Sequence, residues 1–506
     1  MAQWKALGAS LGTGTVIALL MSTTAQAEVT AEQVWKSWMD FSTSMGQTMA
    51  AGSQEMAGDT LTVSNVVITA KTATGSVEGS IESVAFKEMG DGTVEVTMSP
   101  EFPLAITEQV EGADPVEIKL TLKQSGMKLL VSGSDAELGT ALSADSLTMV
   151  LDGVSAATAD VQVDVSMAMN GIAGTYGVKN GDAKEVTSDF SASGMTIDVK
   201  VVDPAQSSDF AMNGTIEGIT SNGTTTIPKT VDFTDMTAAL AAGFATKGAA
   251  TFGKGTYAFD FKDATSSGNL AGTVESGAFD VAMNDDALTY QASEAGVDFK
   301  LMSSDLPIPE VSLKMAEAAF GMMMPLGQST EPKDFSFLTK VVGLAVSDEI
   351  WGMFDPGAVL PRDPATLIID VTGKANWLID IFKQDPANPT TEVPGQIHAL
   401  TLKQLQLTAA GVDLSASGDF TFDNTDMVTY EGMPKPVGTL DAKLIGGNGL
   451  IDKLIQMGIL PEDQAMGGRM MMGMFATAVE GQEDTITSNV EMKEDGSVFA
   501  NGQQIK

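Results

Sequence analysis

The feature that most constrains this chain is a hydrophobic period of two, sustained from about residue 58 to residue 310. Val116, Ile118, Leu120 and Leu122 alternate with Glu117, Lys119 and Thr121. Val161, Val163, Val165, Met167 and Met169 alternate with Gln162, Asp164, Ser166 and Ala168. Ile197, Val199 and Val201 bracket Asp198 and Lys200, and Val297, Phe299 and Leu301 bracket Asp298 and Lys300. Successive strand side chains point to opposite faces, so each run has one dry face and one wet face, the habit of antiparallel sheets. Gly, Asn, Asp and Ser separate the runs as turns. The expected fold class is mainly β with a few helices (α+β). It is a long antiparallel β-meander forming a strongly curved sheet with helices along one side.

Gly92, Gly133, Gly174, Gly214, Gly255 and Gly296 recur at steps of 40 or 41 residues. The spacing suggests two hairpins per period; a propeller blade has a similar length, but its Trp-Asp signature is absent. Before the meander, Thr30 and Gln33 have capping-box spacing, and Val34, Trp38, Phe41 and Met45 follow on one helical stripe. After it, Leu313 to Leu326 reads as an Ala- and Met-rich helix ended by Pro325 and Gly327, and Asn376 to Phe382 as a short helix. Alternation returns at Leu400 and Leu402 and slips phase at Lys403-Gln404, as a β-bulge does. Leu450, Leu454 and Ile455 mark a helix, and Met466, Met470 and Met474 share one face of the next. A closing strand pair turns at Asp495-Gly496. The expected division is a signal segment at 1–27, a helix plus meander at 28–310, and a mixed β/α section at 311–506 that continues the same sheet or stands beside it.

The first residues read as an export signal cleaved after Ala27. Lys5 supplies the charge, Leu7 to Met21 the apolar stretch, and Ala25-Gln26-Ala27 the small-x-small site. Gly8-Ala9-Ser10-Leu11-Gly12 fits a hydrolase nucleophile elbow but falls inside this segment. No later run of about 18 apolar residues occurs, so a soluble periplasmic protein is expected. The net charge of −38 argues against nucleic acid, whose phosphates need clustered Lys and Arg. With no Cys and only His398, thiolate and His-rich metal sites are excluded, and no cofactor is expected. An outer-membrane barrel shares the alternation but requires aromatic girdles, and the chain has 4 Tyr and 5 Trp.

The segment FDPGAVLPRDPATLIIDVTGKA (354–375) and the terminal ILPEDQAMGGRMMMGMF with DTITSNVEMKEDGSVFANGQQIK resemble domain-of-unknown-function family 2125, a set of exported alphaproteobacterial proteins. VTAEQVWKSW and LTVSNV (61–66) are also similar to that family. The resemblance implies no catalytic residue, because none is established for the family. More distantly, the closing helix, acidic turn and Asn501-Gly502 are similar to envelope proteins with a curved β-sheet, associated with lipid homeostasis.

Candidate chemistry is sparse. His398 lies at a strand entrance with no adjacent partner for general-base work, and reads as a structural histidine. Ser125-Gly126-Met127-Lys128 fits S-x-x-K, but its Gly lies between strands, which favours a turn. Asn284-Asp285-Asp286 and Asp423-Asn424-Thr425-Asp426 offer oxygen ligands, yet read more simply as polar turns. Asp355, Asp363 and Asp385 each precede Pro, and Arg362 between two of them suits a loop-fixing ion pair. A carboxylate pair of the glycosidase kind is always available among 66 acids and says nothing without a cleft. The strongest lead is methionine, whose flexible apolar side chain adapts to varied partners. Met322, Met323 and Met324 with Met470, Met471, Met474 and Phe475 form the candidate lining of an acyl-chain groove. The expectation is a non-enzymatic periplasmic protein that binds a lipid or lipoprotein acyl chain. The alternative is an envelope scaffold with a self-packed β-core and a protein partner.

Overall fold

A computed structural model describes residues 29–506, except 45, 73–74, 110–114, 135, 156–160, 232, 234, 309 and 384–392. The export segment, the elbow motif within it, Met45 and Asp385 lie outside the described residues. Among those described, 26 strands join in one hydrogen-bonded sheet, accompanied by five α-helices. Every pairing between these strands is antiparallel, and the long strands pair with their sequence neighbours, as the period of two predicts. No described helix is long and apolar enough to cross a membrane.

The chain divides into two compact units, Met1–Asp198 with Ile219–Lys229, and Val199–Gly218 with Thr230–Lys506. In the first, helix α1 (Ala31–Ser44) starts at the expected capping box. Thr30 N–H donates to Gln33 Oε1 at 2.9 Å, and Gln33 N–H donates to Thr30 Oγ1 at 3.3 Å. Val34, Trp35 and Trp38 bury the inner side of α1 against Val63, Val84, Phe86, Val94, Val96, Leu129 and Val131 of the sheet. The two indoles meet the Phe86 ring edge-on, with centroids 6.0 and 5.1 Å away. A second cluster gathers Phe102, Met127, Ala144, Ile172 and Ala192.

Many strands are halves of longer runs. Val94–Met98 and Glu101–Glu108 both pair with Gly75–Glu88, and Val116–Ser125 and Lys128–Ser134 both pair with Glu137–Val154. The interval near 40 residues therefore holds two long strands, one hairpin, where the sequence suggested two. The interruption at Gly126 has φ +64, and a Cβ there would lie 2.4 Å from the Asp145 carboxylate. Gly296 repeats this in the second unit, with φ +62 and Glu275 Cγ at 2.4 Å. Each left-handed residue resets the alternation: Leu288, Tyr290 and Ala292 precede Gly296 on even numbers, and Val297, Phe299 and Leu301 follow on odd ones.

In the second unit, long strands follow in order from Ala245–Phe252 to Thr485–Met492. Helices α2 (Met236–Ala241), α3 (Asp348–Phe354), α4 (Gly447–Gln456) and α5 (Glu462–Phe475) interrupt or adjoin them. The bulge expected at Lys403-Gln404 appears as a register shift between Leu402 and Leu405. Two helix expectations are corrected. Leu313–Leu326 lies mostly in the strand Val311–Pro325, paired on both sides. Asn376 and Trp377 end the strand Ala365–Trp377, and only a short 3₁₀ turn, Ile381–Lys383, follows. Ala, Leu and Met favour helices locally, but cross-strand partners override that preference.

The buried ring and the half-exposed ring give a contrast. Phe86→Ala should cost about 3–5 kcal/mol in urea unfolding, the range for a fully buried Phe. Phe320, 38% exposed on the second unit, should cost less than half as much when replaced by Ala. Equal losses would contradict the assigned burial.

Candidate functional site

The register of the second unit aligns apolar residues into rows that cross the strands. Gly248 faces Val281, which faces Tyr290, then Met322, Phe337, Val371, Leu402, Gly418, Leu440 and Val490. This row spans ten strands, and its one polar side-chain group is the Tyr290 hydroxyl. Phe252 belongs to the half-strand before Gly253, yet its ring lies 4.0 Å from the Cβ position of Gly255 beyond it. The apolar side chains of both halves thus share one side of the sheet.

That side is not packed away. The rings of Phe279, Tyr290, Phe320 and Phe337 form a ladder with centroids 5.1, 5.9 and 5.7 Å apart, and the three Phe are each 38% exposed. Both clusters of buried hydrophobic side chains found among the described residues belong to the first unit. Tyr257, also on this face, has its phenol pushed up by burial and then by the Glu294 carboxylate. In the first unit, burial pushes the Tyr176 phenol up to about 12.

The predicted methionines divide. Met322 and Met324 lie on the apolar face, opposite Tyr290 and Leu288, while Met323 points to the other side between Thr289 and Ser336. Met470, Met471 and Met474 are exposed on α5. The α5 residue that reaches the face is Met472, whose sulfur sits 3.6 Å from the Cβ position of Gly447 beside Leu444. The Phe475 carbonyl holds α5 to the last strands, accepting from Ser488 Oγ at 2.6 Å and Asn501 Nδ2 at 3.0 Å.

Two depressions also lie on this unit. One of about 720 Å³ is lined by Lys200, Asp209, Asp260 and Lys262 together with Phe210, Phe261 and Met302. The other, about 370 Å³, presents Thr421, Asp423, Lys435 and Glu494. With its Phe rings half-exposed, the apolar surface is an open face, where the sequence suggested a groove bordered by the methionine helices.

The remaining candidates resolve into structural roles. His398 Nε2 and Asn376 Oδ1 share a hydrogen bond at 2.7 Å, and Asn376 Nδ2 donates to the Ser329 carbonyl at 2.7 Å. Ser125 and Lys128 flank the Gly126 interruption, and Lys128 pairs with Glu95 at 3.9 Å. Asn284 Oδ1 accepts from Asp286 N–H and Ala287 N–H at 2.9 and 3.0 Å, closing that turn. Asp423 and Asp426 bracket Lys435 at 3.6 and 3.3 Å. Asp355 is fully buried, its carboxylate accepting from Val359 and Leu360 N–H groups at 2.9 Å each. Burial pushes this carboxyl up, but the two N–H donors and the Arg362 guanidinium outweigh it and hold it below the ordinary 3.8. Arg362 pairs with Asp348 on α3 and lies 5.7 Å from the Trp351 ring centre, so it fixes the loop as expected.

A family model described as an uncharacterized protein conserved in bacteria, DUF2125, matches residues 225–503, more than half of the chain. The chain belongs to the DUF2125 family. No curated protein and no solved structure matches it. The DUF2125 match takes in the ten-strand apolar row, the Asp355 loop and α5. The amino-terminal segments that resemble the family precede the matched residues.

Carboxylates in DUF2125 turns set an acid limit. Hydrogen bonds from Thr265 and Ser266 bring Asp263 down to about 2, and those from Thr429 bring Asp426 to about 2. Their folded pKa values lie below the ordinary 3.8, so their stabilisation is present above 3.8 and lost as pH falls through about 2. Thermal unfolding followed against pH should show this acid limb, and an Asp263→Asn, Asp426→Asn double variant should flatten it. An unchanged limb would contradict the assignment.

Proposed function

We propose that this protein is exported to the periplasm and holds the acyl chain of a lipid or lipoprotein against the apolar face of its second unit, as a non-enzymatic component of the cell envelope. The observation that carries the reading is the ten-strand row from Gly248 to Val490, with its half-exposed ring ladder. Exposed apolar area costs about 25 cal/mol per Å², so a surface of this kind gains by being covered. The backbone polar groups of the strands inside the row are engaged in the ladder on both sides, and the row's one side-chain donor and acceptor is the Tyr290 hydroxyl at a ring edge. An occupant without hydrogen-bonding groups along its length, such as an acyl chain, leaves no backbone group of those strands unsatisfied.

A second reading, an envelope scaffold, is favoured by the first unit, where α1 and the sheet bury their apolar surface against each other. Native mass spectrometry of protein purified gently from its own periplasm separates the two. The acyl-chain reading expects a bound mass that extracts as phospholipid, fatty acid or lipoprotein. A clean apo mass that stays unchanged after incubation with envelope lipid would overturn it in favour of the scaffold.

A further inference from the structure

The hairpin that opens the second unit's apolar face carries rings on one arm and glycines on the other. Phe252, Tyr257 and Phe261 stand on the run Ala245–Phe252 and Gly255–Lys262. Directly opposite, on Ser267–Val274 and Ser276–Met283, are Gly277, Gly272 and Gly268. A Cβ on these glycines would lie 2.1 Å from Phe252 Cζ, 2.4 Å from Tyr257 Cζ and 2.4 Å from Phe261 Cε1. Each ring therefore fills the space of the missing side chain and lies flat across the neighbouring strand. Phe335 does the same over Gly373, with Cε1 at 2.5 Å.

Glycine inside a strand weakens it, and covering by a cross-strand ring offsets that loss. Stability alone is served as well by a β-branched residue opposite a smaller partner. What the glycine pairing adds is flatness, because a ring lying on the backbone projects less than a ring standing against a side chain. The next strand continues the level with Phe299 beside Gly272.

Building on the acyl-chain reading, we propose that Gly272 and Gly277 are specificity-determining residues. They let Tyr257 and Phe252 lie flat as the floor on which an extended acyl chain rests, running across the strands. A methyl group at either position lifts the facing ring into the space the chain occupies. The occupant is taken as an acyl chain because the floor presents ring faces, and the strands of Tyr257, Gly272 and Gly277 have their backbone already paired on both sides.

Palmitoyl-lysophosphatidylcholine, titrated into delipidated full-length protein and followed by native mass spectrometry, is the probe. Gly272→Ala and Gly277→Ala should each weaken binding by about tenfold. Asp280→Ala, on the opposite side of the same strand, should leave it unchanged. The Gly272→Ala, Tyr257→Ala double variant removes the lifted ring along with its share of the floor, so it should bind more tightly than Gly272→Ala though more weakly than wild type, a partial rescue that a purely structural glycine does not produce. Thermal unfolding of each variant checks the fold, and the double variant keeps the test open should Gly272→Ala alone unfold. Wild-type affinity in both single glycine variants, or failure of the rescue in a folded double variant, would overturn the proposal while leaving the acyl-chain reading standing. No binding to the wild-type protein would overturn both.

Discussion

The structure depends on a property of antiparallel pairing: it satisfies the backbone sideways and does nothing for the faces. A meander of long strands with alternating sequence therefore forms readily and leaves a broad apolar surface that something else must cover. The two units meet this requirement differently. In the first, α1 brings two indoles onto Phe86 and closes the core with side chains of the chain itself. In the second, rows of apolar residues cross ten strands and stay half-exposed.

The left-handed glycines keep that surface coherent. A long strand with strict alternation would hold one parity throughout, yet here the parity changes within a strand at Gly296, as it does between two half-strands at Gly126 in the first unit. The backbone conformation at those points compensates for the change, so the apolar set stays on one side. The helices of the second unit serve the ends of its strands. The Asp355 loop after α3 is fixed by its own carboxylate and by Arg362, and α4 takes its first N–H donors onto Asp484.

Local signals were legible in the sequence. The capping box at Thr30 and Gln33, the phase slip at Lys403-Gln404 and the turn at Asp495-Gly496 each depend on a few adjacent residues, and each is present. The strand Val311–Pro325 was misread because Ala, Leu and Met carry helical preference, whereas its state is decided by partners as distant as Leu288 and Phe337. The methionines divide for the same reason. Residue type marked them as apolar, but register puts Met322 on the face and Met323 behind it. The ring and glycine pairs were invisible without register, although one clue existed. The turn at Asp263, whose carboxylate accepts from Thr265 and Ser266 N–H groups at 2.7 and 2.8 Å, sets Lys262 against Ser267 and so Tyr257 against Gly272.

The central claim is that the apolar face of the second unit is open and available to an occupant. Hydroxyl-radical footprinting of the delipidated protein, read residue by residue by mass spectrometry, tests it most directly. The account predicts that Phe320, Phe337 and Met322 are oxidised readily, that Phe86 and Trp38 are protected, and that added phospholipid protects the first three. Protection of Phe320, Phe337 and Met322 in the lipid-free protein, equal to that of Phe86, would contradict it.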